Sequence, residues 1–233
     1  MGLKAAVLIP AYQAAATLGA VIDGVRAAVP GAEIVVVDDG STDGTGRVAR
    51  AAEVSLLTHG ANRGKGEALR TGFSELQGRV DAVVTLDADG QHDPAEIPAL
   101  LARLESSGAG ICVGTRMGDT RRMPPIRRFA NRAGSGILSW LAGAALEDTQ
   151  SGFRAYRASV LPLLDCRGSG YDYESEVLIR ACRLGTIVVF ESVSTRYGDE
   201  TSHFRPLRDG FRFVRLVAAS LPGVWARRKG LPA

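Results

Sequence analysis

Apolar positions in the first half of the chain fall into short runs separated by stretches with a helical period. Residues 3–9, 33–37, 54–58, 82–86 and 110–114 are runs of strand length, several of them rich in Val, Ile and Leu. Residues 17–29, 45–52, 66–76 and 94–104 lie between them and read as helices. Strands spaced by helices in this way predict a mostly parallel sheet covered on both faces. The second half has a different rhythm. It predicts a helix over 126–145 broken by small residues, a short strand over 152–156, a helix over 173–184, a long strand over 186–196 and a last helix over 211–221. No internal repeat, low-complexity tract or linker interrupts the pattern, so one α/β domain with a helical appendage is expected.

Composition narrows this only a little. The chain has 233 residues, 45% hydrophobic and 23% charged, which suits a soluble globular protein with a full core. Cys112, Cys166 and Cys182 are odd in number and form no CxxC pair, so neither a disulfide framework nor a zinc site is indicated. A reducing cytoplasm is the simplest expected location. The opening apolar run is short and ends at Pro10, which reads as a first strand rather than a signal peptide, and no window has the length of a membrane span.

Charge changes the picture more. From His203 to the end there are seven basic residues against one acid, a net +6, which leaves residues 1–202 at −3 of the chain's +3. A second basic cluster (Arg116, Arg121, Arg122, Arg127, Arg128 and Arg132) has Asp119 as its only acid. Basic patches this local suggest an anionic partner. The last predicted helix puts Phe211, Val214, Val217, Ala218 and Leu221 on one face and Arg208, Arg212 and Arg215 on another. Such a helix can lie in an anionic membrane interface, or its apolar face can pack on the domain.

The chemistry sits where predicted strands end. Asp87-Ala88-Asp89-Gly90-Gln91-His92-Asp93-Pro94 follows the fourth strand and opens a helix, with Asp93 as N-cap, Pro94 at the first helical position and Glu96 at the third. Two carboxylates one residue apart can reach one hard cation, and oxygen ligands favour Mg²⁺ or Mn²⁺ over zinc. Open α/β sheets bind ligands at this edge. Asp38-Asp39-Gly40-Ser41-Thr42-Asp43 follows the second strand in the same way, although the composition also suits a plain turn. Asn62-Arg63-Gly64-Lys65-Gly66 departs from the phosphate-loop pattern, because Gly66 stands where Ser or Thr is required, yet Arg63 and Lys65 beside a helix N-terminus can hold a diphosphate. Asp148 and Arg154 flank a glycine, and a buried Asp–Arg pair is the structural alternative there. The acids of Tyr171-Asp172-Tyr173-Glu174-Ser175-Glu176 open a helix, where the dipole alone favours them. The three histidines form no ligand pattern.

Taken in order, Ile9-Pro10-Ala11-Tyr12, Asp38-Asp39-Gly40-Ser41-Thr42-Asp43, Arg63-Gly64-Lys65-Gly66, Asp87-Ala88-Asp89-Gly90-Gln91-His92 and Asp148-Thr149-Gln150-Ser151-Gly152-Phe153-Arg154 resemble the family 2 inverting glycosyltransferases of the GT-A fold. Within that family the chain is most similar to the polyprenyl-phosphate and dolichol-phosphate sugar transferases. The resemblance runs over residues 3–205, making 1–205 the transferase domain and 206–233 a basic amphipathic helix and tail. It implies a GT-A type, Rossmann-like nucleotide-binding sheet and a nucleotide-diphosphate sugar donor, UDP- or GDP-linked. Pro10, Ala11 and Tyr12 would line the base pocket with Asp39. Asp87 and Asp89, helped by Gln91, would hold Mg²⁺ or Mn²⁺ on the diphosphate. Arg116 and Arg127, with Asn131 where relatives often have serine, would meet the acceptor phosphate, and Asp148 and Arg154 would sit at the reaction centre.

The expected reaction is therefore transfer of a sugar to a polyprenyl-phosphate acceptor, at the inner face of a membrane and without nucleic acid. A sugar hydroxyl acceptor would need a general base, for which Asp148 is the candidate. A lipid phosphate needs none, since its second pKa is about 6. Transfer to a saccharide hydroxyl and non-catalytic binding of a sugar nucleotide are the alternatives. A nucleotidyltransferase is disfavoured, because Pro10-Ala11-Tyr12-Gln13 stands where that class has a glycine-rich loop.

Overall fold

The computed structural model describes residues 2–115, 125–164, 166, 168, 172–194, 214–218 and 220–221; for 125–133 and 172 it describes backbone only. In chain order the elements are β1 (Ala5–Ala11), α1 (Leu18–Ala28), β2 (Glu33–Asp38), α2 (Thr45–Ala51), β3 (Ser55–Thr58), α3 (Lys65–Leu76) and β4 (Ala82–Thr85). They continue with α4 (Ile97–Ser107), β5 (Ile111–Thr115), α5 (Pro125–Ala142), β6 (Arg154–Arg157), α6 (Asp172–Arg183) and β7 (Val188–Ser192). Two 3₁₀ turns, Pro94–Glu96 and Ala158–Leu163, complete the set.

The seven strands form one sheet in the order β3-β2-β1-β4-β6-β5-β7. Every pairing is parallel except those of β6, which runs antiparallel to both β4 and β5. Side chains alternate across the sheet and feed two cores. Leu8, Val35, Val37 and Val83 pack beneath α3, α5 and α6 with Phe73, Leu138 and Val177. Val7, Ile9, Val36 and Val84 pack beneath α1, α2 and α4 with Ile22, Ala49 and Leu100. Burial on both faces explains why the central strands read as continuous apolar runs rather than alternating ones.

Three sequence expectations need correction. Pro10 does not end β1, which continues to Ala11 with Pro10 opposite Val37. Leu8 points its carbonyl at β4, accepting from Leu86, and residue 10 faces the same way beyond the last β1–β4 pair, so its missing N–H is not needed. Asp93 does cap its helix, accepting from Ala95 N–H at 3.0 Å, but the first turn is 3₁₀ and the Glu96 carboxylate accepts from Ser194 N–H instead of reaching back. The last strand is shorter than 186–196. The other predicted elements are present within one or two residues at most ends; 126–145 stops earlier, at Ala142.

In the C-terminal segment, residues 214–218 and 220–221 are helical. Its apolar face is divided. Val217 packs toward the core beside buried Leu216 and Ser220, whereas Val214, Ala218 and Leu221 face outward with Arg215. Arg183 ties this helix to α5 by donating to the carbonyls of both Ser220 and Leu141.

Candidate active site

Strands β1, β2 and β4 point their carboxyl ends at one edge, and the loops that follow them carry most of the candidate residues. An antiparallel neighbour brings its amino end to that same edge. Thr85 at the end of β4 pairs with Arg154 at the start of β6, so the 148–153 loop is delivered beside the acidic loop of β4. The Thr85 hydroxyl also donates to the Gly152 carbonyl at 2.8 Å.

The first two loops are stitched together by short polar side chains. Gln13 N–H donates to Ser41 Oγ (3.0 Å), Thr42 N–H to Gln13 Oε1 (3.0 Å), and Ala14 N–H to Thr45 Oγ1 (2.8 Å). Asp43 accepts from Ala15 N–H and from the Thr45 hydroxyl and amide. Pro10 and Ala11 lie buried at the end of β1, with the Ala11 carbonyl accepting from Asp39 N–H, while Tyr12 is 41% exposed at the rim. Thr17 Oγ1 donates to the Ala88 carbonyl at 2.6 Å, which fixes the loop bearing Asp87 and Asp89 to the start of α1.

Asp39 is buried and held by several donors. Its Oδ1 accepts from Arg63 N–H (2.9 Å) and lies 2.7 Å from His59 Nδ1, and its Oδ2 accepts from Gly64 N–H (2.8 Å). Because a carboxylate only accepts, Nδ1 carries the proton, and in the neutral ring Nε2 accepts from the Thr71 hydroxyl 3.0 Å away. The second loop also meets the third at Gly40. Its φ is +75°, and a Cβ there would fall only 2.5 Å from the Ala61 carbonyl carbon, so residue 40 admits nothing larger than glycine. Asp39 thereby anchors the Arg63-Gly64-Lys65 loop. The Arg63 side chain extends outward, 57% exposed and 4.0 Å from Glu67.

Lys65 turns inward instead. Its Nζ lies 2.6 Å from Asp87 Oδ1 and 2.9 Å from Glu174 Oε1. Burial alone would lower the ammonium's pKa, but the Asp87 and Glu174 charges and hydrogen bonds hold it well above the ordinary lysine value. Glu174 is only 2% exposed, and its second oxygen has no hydrogen-bond partner among the described residues. A Cβ on residue 152 would fall 2.6 Å from Asp87 Oδ2 and 2.7 Å from Lys65 Nζ, so glycine there lets the 148–153 loop close over the pair.

Asp89 accepts from Gln91 N–H at 3.0 Å, which shapes the acidic loop. Asp87, Asp89 and Gln91 offer only hard oxygen ligands, and no cluster of three or more His, Cys, Asp or Glu suited to a metal occurs among the described residues. This donor set fits a divalent cation whose shell a bound diphosphate completes, rather than one caged by protein alone.

The two residues expected at the reaction centre differ in kind. Asp148 is 3% exposed and accepts from Gln150 N–H at 3.1 Å. Arg154 is fully buried and donates to the carbonyls of Ser151 (2.7 Å), Thr149 (2.9 Å) and Glu174 (2.7 Å). Its guanidinium thus bonds three backbone carbonyls and joins the 148–153 loop to α6. Arg127 and Asn131 fall four residues apart on the backbone of α5, hence on one face, and Arg116 lies outside the described residues.

His59, Gly152 and Glu174 were not singled out by sequence reasoning. His59 directly follows β3, so its place on the same strand-end edge as Asp39 was a usable signal. Glu174 carried none, since an acid in a helix's first turn is ordinary.

The glycosyl transferase family 2 model matches residues 6–161. The chain belongs to glycosyl transferase family 2. This glycosyltransferase is 34% identical over 199 residues to an undecaprenyl-phosphate mannosyltransferase of Micrococcus luteus, a match that covers 80% of this chain and 81% of that one. It is 32% identical over 171 residues to a UDP-N-acetylglucosamine–dolichyl-phosphate N-acetylglucosaminyltransferase of Methanococcus voltae, covering 64% and 68%. Among solved structures it resembles glucosyl-3-phosphoglycerate synthase from Mycobacterium tuberculosis. The complex with UDP gives a TM-score of 0.74 at 23% identity, covering 100% of this chain and 82% of that one. The complex with Mn²⁺, UDP and phosphoglyceric acid gives 0.71 at 25% identity, covering 100% and 80%. The GT-A architecture expected from the sequence is therefore present.

Proposed function

We propose that this enzyme moves a sugar from a nucleotide-diphosphate sugar to a polyprenyl phosphate. One observation carries the acceptor. The two transferase relatives differ in the sugar named, mannose in one and N-acetylglucosamine in the other, but both names give a polyprenyl phosphate as acceptor. The acceptor class is what such relatives share, and the sugar is what varies.

In this reading Pro10, Ala11, Tyr12 and Asp39 receive the base, and Arg63 and Lys65 face the diphosphate. Asp87 and Asp89, with Gln91, hold Mg²⁺ or Mn²⁺, both of which occur with UDP in structures of the M. tuberculosis enzyme. When bound, the cation neutralises charge on the departing nucleotide diphosphate. Lys65, kept charged by its carboxylate neighbours, adds a second cation where that charge develops. The acceptor phosphate is already ionised, so Asp148 removes no proton and instead shapes the loop that closes on Asp87. Arg116, Arg127 and Asn131 hold the acceptor phosphate. Outward-facing Val214, Ala218 and Leu221 rest on the membrane with Arg215, and among the described residues no helix is long and apolar enough to cross one.

The test is donor consumption by purified protein with Mn²⁺ or Mg²⁺, across UDP- and GDP-sugars, with and without undecaprenyl or dolichyl phosphate. Turnover should require both metal and lipid phosphate and fall by about 10²-fold or more in Asp89→Ala. Turnover onto a soluble saccharide without lipid phosphate would overturn the acceptor assignment.

A further inference from the structure

Lys65 holds together two carboxylates that come from distant parts of the chain, Asp87 after β4 and Glu174 in α6. The metal reading above asks Asp87 to serve a divalent cation, yet here Asp87 already has an ammonium 2.6 Å away. A divalent cation and an ammonium repel, so one carboxylate oxygen cannot serve both at full strength. Glu174 supplies a way out. Its Oε1 already contacts the ammonium, and its Oε2 is buried with no hydrogen-bond partner among the described residues. A buried acceptor left unmatched is costly and calls for a reason.

We propose that Lys65 is an exchangeable counter-ion, resting on Asp87 in the ligand-free enzyme and passing to Glu174 and the incoming diphosphate when nucleotide and metal bind. Glu174 is then a positioning residue that acts through Lys65, and its second oxygen is the reserve that receives the ammonium. The close approach at Gly152 leaves no room on that side, which favours a shift along the Asp87–Glu174 line. Nucleotide and metal thus bind as a coupled pair. Each favours the arrangement the other needs, because each draws on the same lysine. The idea rests on the metal-dependent reading of the site.

The experiment measures Mn²⁺ binding by loss of its free electron-paramagnetic-resonance signal, with the whole chain, alone and with saturating UDP or GDP. The quantity read is the factor by which nucleotide tightens Mn²⁺ binding. In Lys65→Met that factor should shrink by about fivefold or more, although Mn²⁺ alone binds more tightly because its competitor is gone. Glu174→Gln should also shrink the factor, and the double variant should be no worse than Lys65→Met alone. If Lys65 and Glu174 only contributed fixed charge, each variant would shift Mn²⁺ affinity equally with and without nucleotide. An unchanged factor therefore overturns the exchange. Should Lys65→Met fail to fold, the isosteric Glu174→Gln decides on the same criterion. Absence of Mn²⁺ binding to wild type even with UDP and GDP would instead overturn the metal reading itself, and the exchange with it.

Discussion

Two carboxylates, buried Asp39 and half-buried Asp87, stand at strand ends on either side of β1 and are treated in opposite ways. Asp39, after β2, is held by a histidine ring and two loop amides, donors that are fixed in place by β3, α3 and the turn between them. Asp87, after β4, is met by the tip of a long lysine that it shares with Glu174. The first arrangement suits a part of the site that must be ready before ligand arrives, since backbone amides cannot wander. The second suits a part that must rearrange, since an ammonium on a flexible stem can change partners at small structural cost. A transferase needs both: a pre-formed seat for the part of the donor that stays the same, and an adjustable charge where a bond breaks.

The largest expected effect comes from breaking the adjustable side alone. Gly152→Ala places a methyl within 3 Å of both Asp87 and Lys65, so that loop, carboxylate or ammonium must move. Turnover should fall by about 10²-fold, the usual scale for a displacement near 1 Å at a reacting centre. UDP or GDP binding without metal, which on the proposed reading draws on Asp39 as well as on Lys65, should fall by less than about tenfold. Steady-state kinetics beside a nucleotide titration separates the two. Turnover within tenfold of wild type would mean that the close approach at Gly152 has no part in catalysis.

The same contrast explains what could be read from the sequence. The strand-end acids, the helices between them and the parallel core were legible because each depends on local pattern; α1 to α3 lie within a residue of where their periodicity puts them, and α4 is displaced three residues by the 3₁₀ turn at Pro94–Glu96. What escaped depends on pairing between distant residues. Nothing in residues 152–156 says that the strand runs antiparallel between β4 and β5, yet that direction alone brings Gly152 to Asp87. Arg154 read as a residue of the reaction centre or as half of a buried Asp–Arg pair, and nothing in the sequence pointed to its three carbonyl partners, one of them on α6. Glu174 looked like helix-start electrostatics until Lys65, more than 100 residues earlier, was found beside it.

Breaking the fixed side should look different. His59→Phe removes one donor from a buried carboxylate and leaves the Thr71 hydroxyl without its partner, at a cost of about 2–3 kcal/mol in stability. If Asp39 and the loop it anchors hold the donor in place, donor KM should rise about tenfold with kcat changed less than about threefold. His59→Gln keeps a side-chain N–H near Asp39 and should recover part of the lost affinity. A loss confined to kcat, or no recovery with glutamine, would remove the Asp39 anchor from donor binding.

The smallest effect tests how far the pre-formed side extends toward solvent. Burial works to raise the Asp43 carboxyl, but the Thr45 hydroxyl and the Ala15 and Thr45 amides outweigh it and hold the group below its usual 3.8. A carboxyl depressed in the folded state contributes stability that is fully present above the unfolded value and lost as pH falls through the folded one. Because Asp43 is exposed, solvent screens that contribution to about 0.5–1 kcal/mol. Asp43→Asn should therefore unfold at slightly lower urea than wild type at pH 7, and the gap should close as the pH falls below 3.8. A gap that persisted in acid would mean that the stitch between the first two loops does not depend on the Asp43 charge. The amides of Ala15 and Thr45 would then be matched as well by a neutral oxygen, and the rigidity of that edge would come from the Gln13, Ser41 and Thr42 contacts instead.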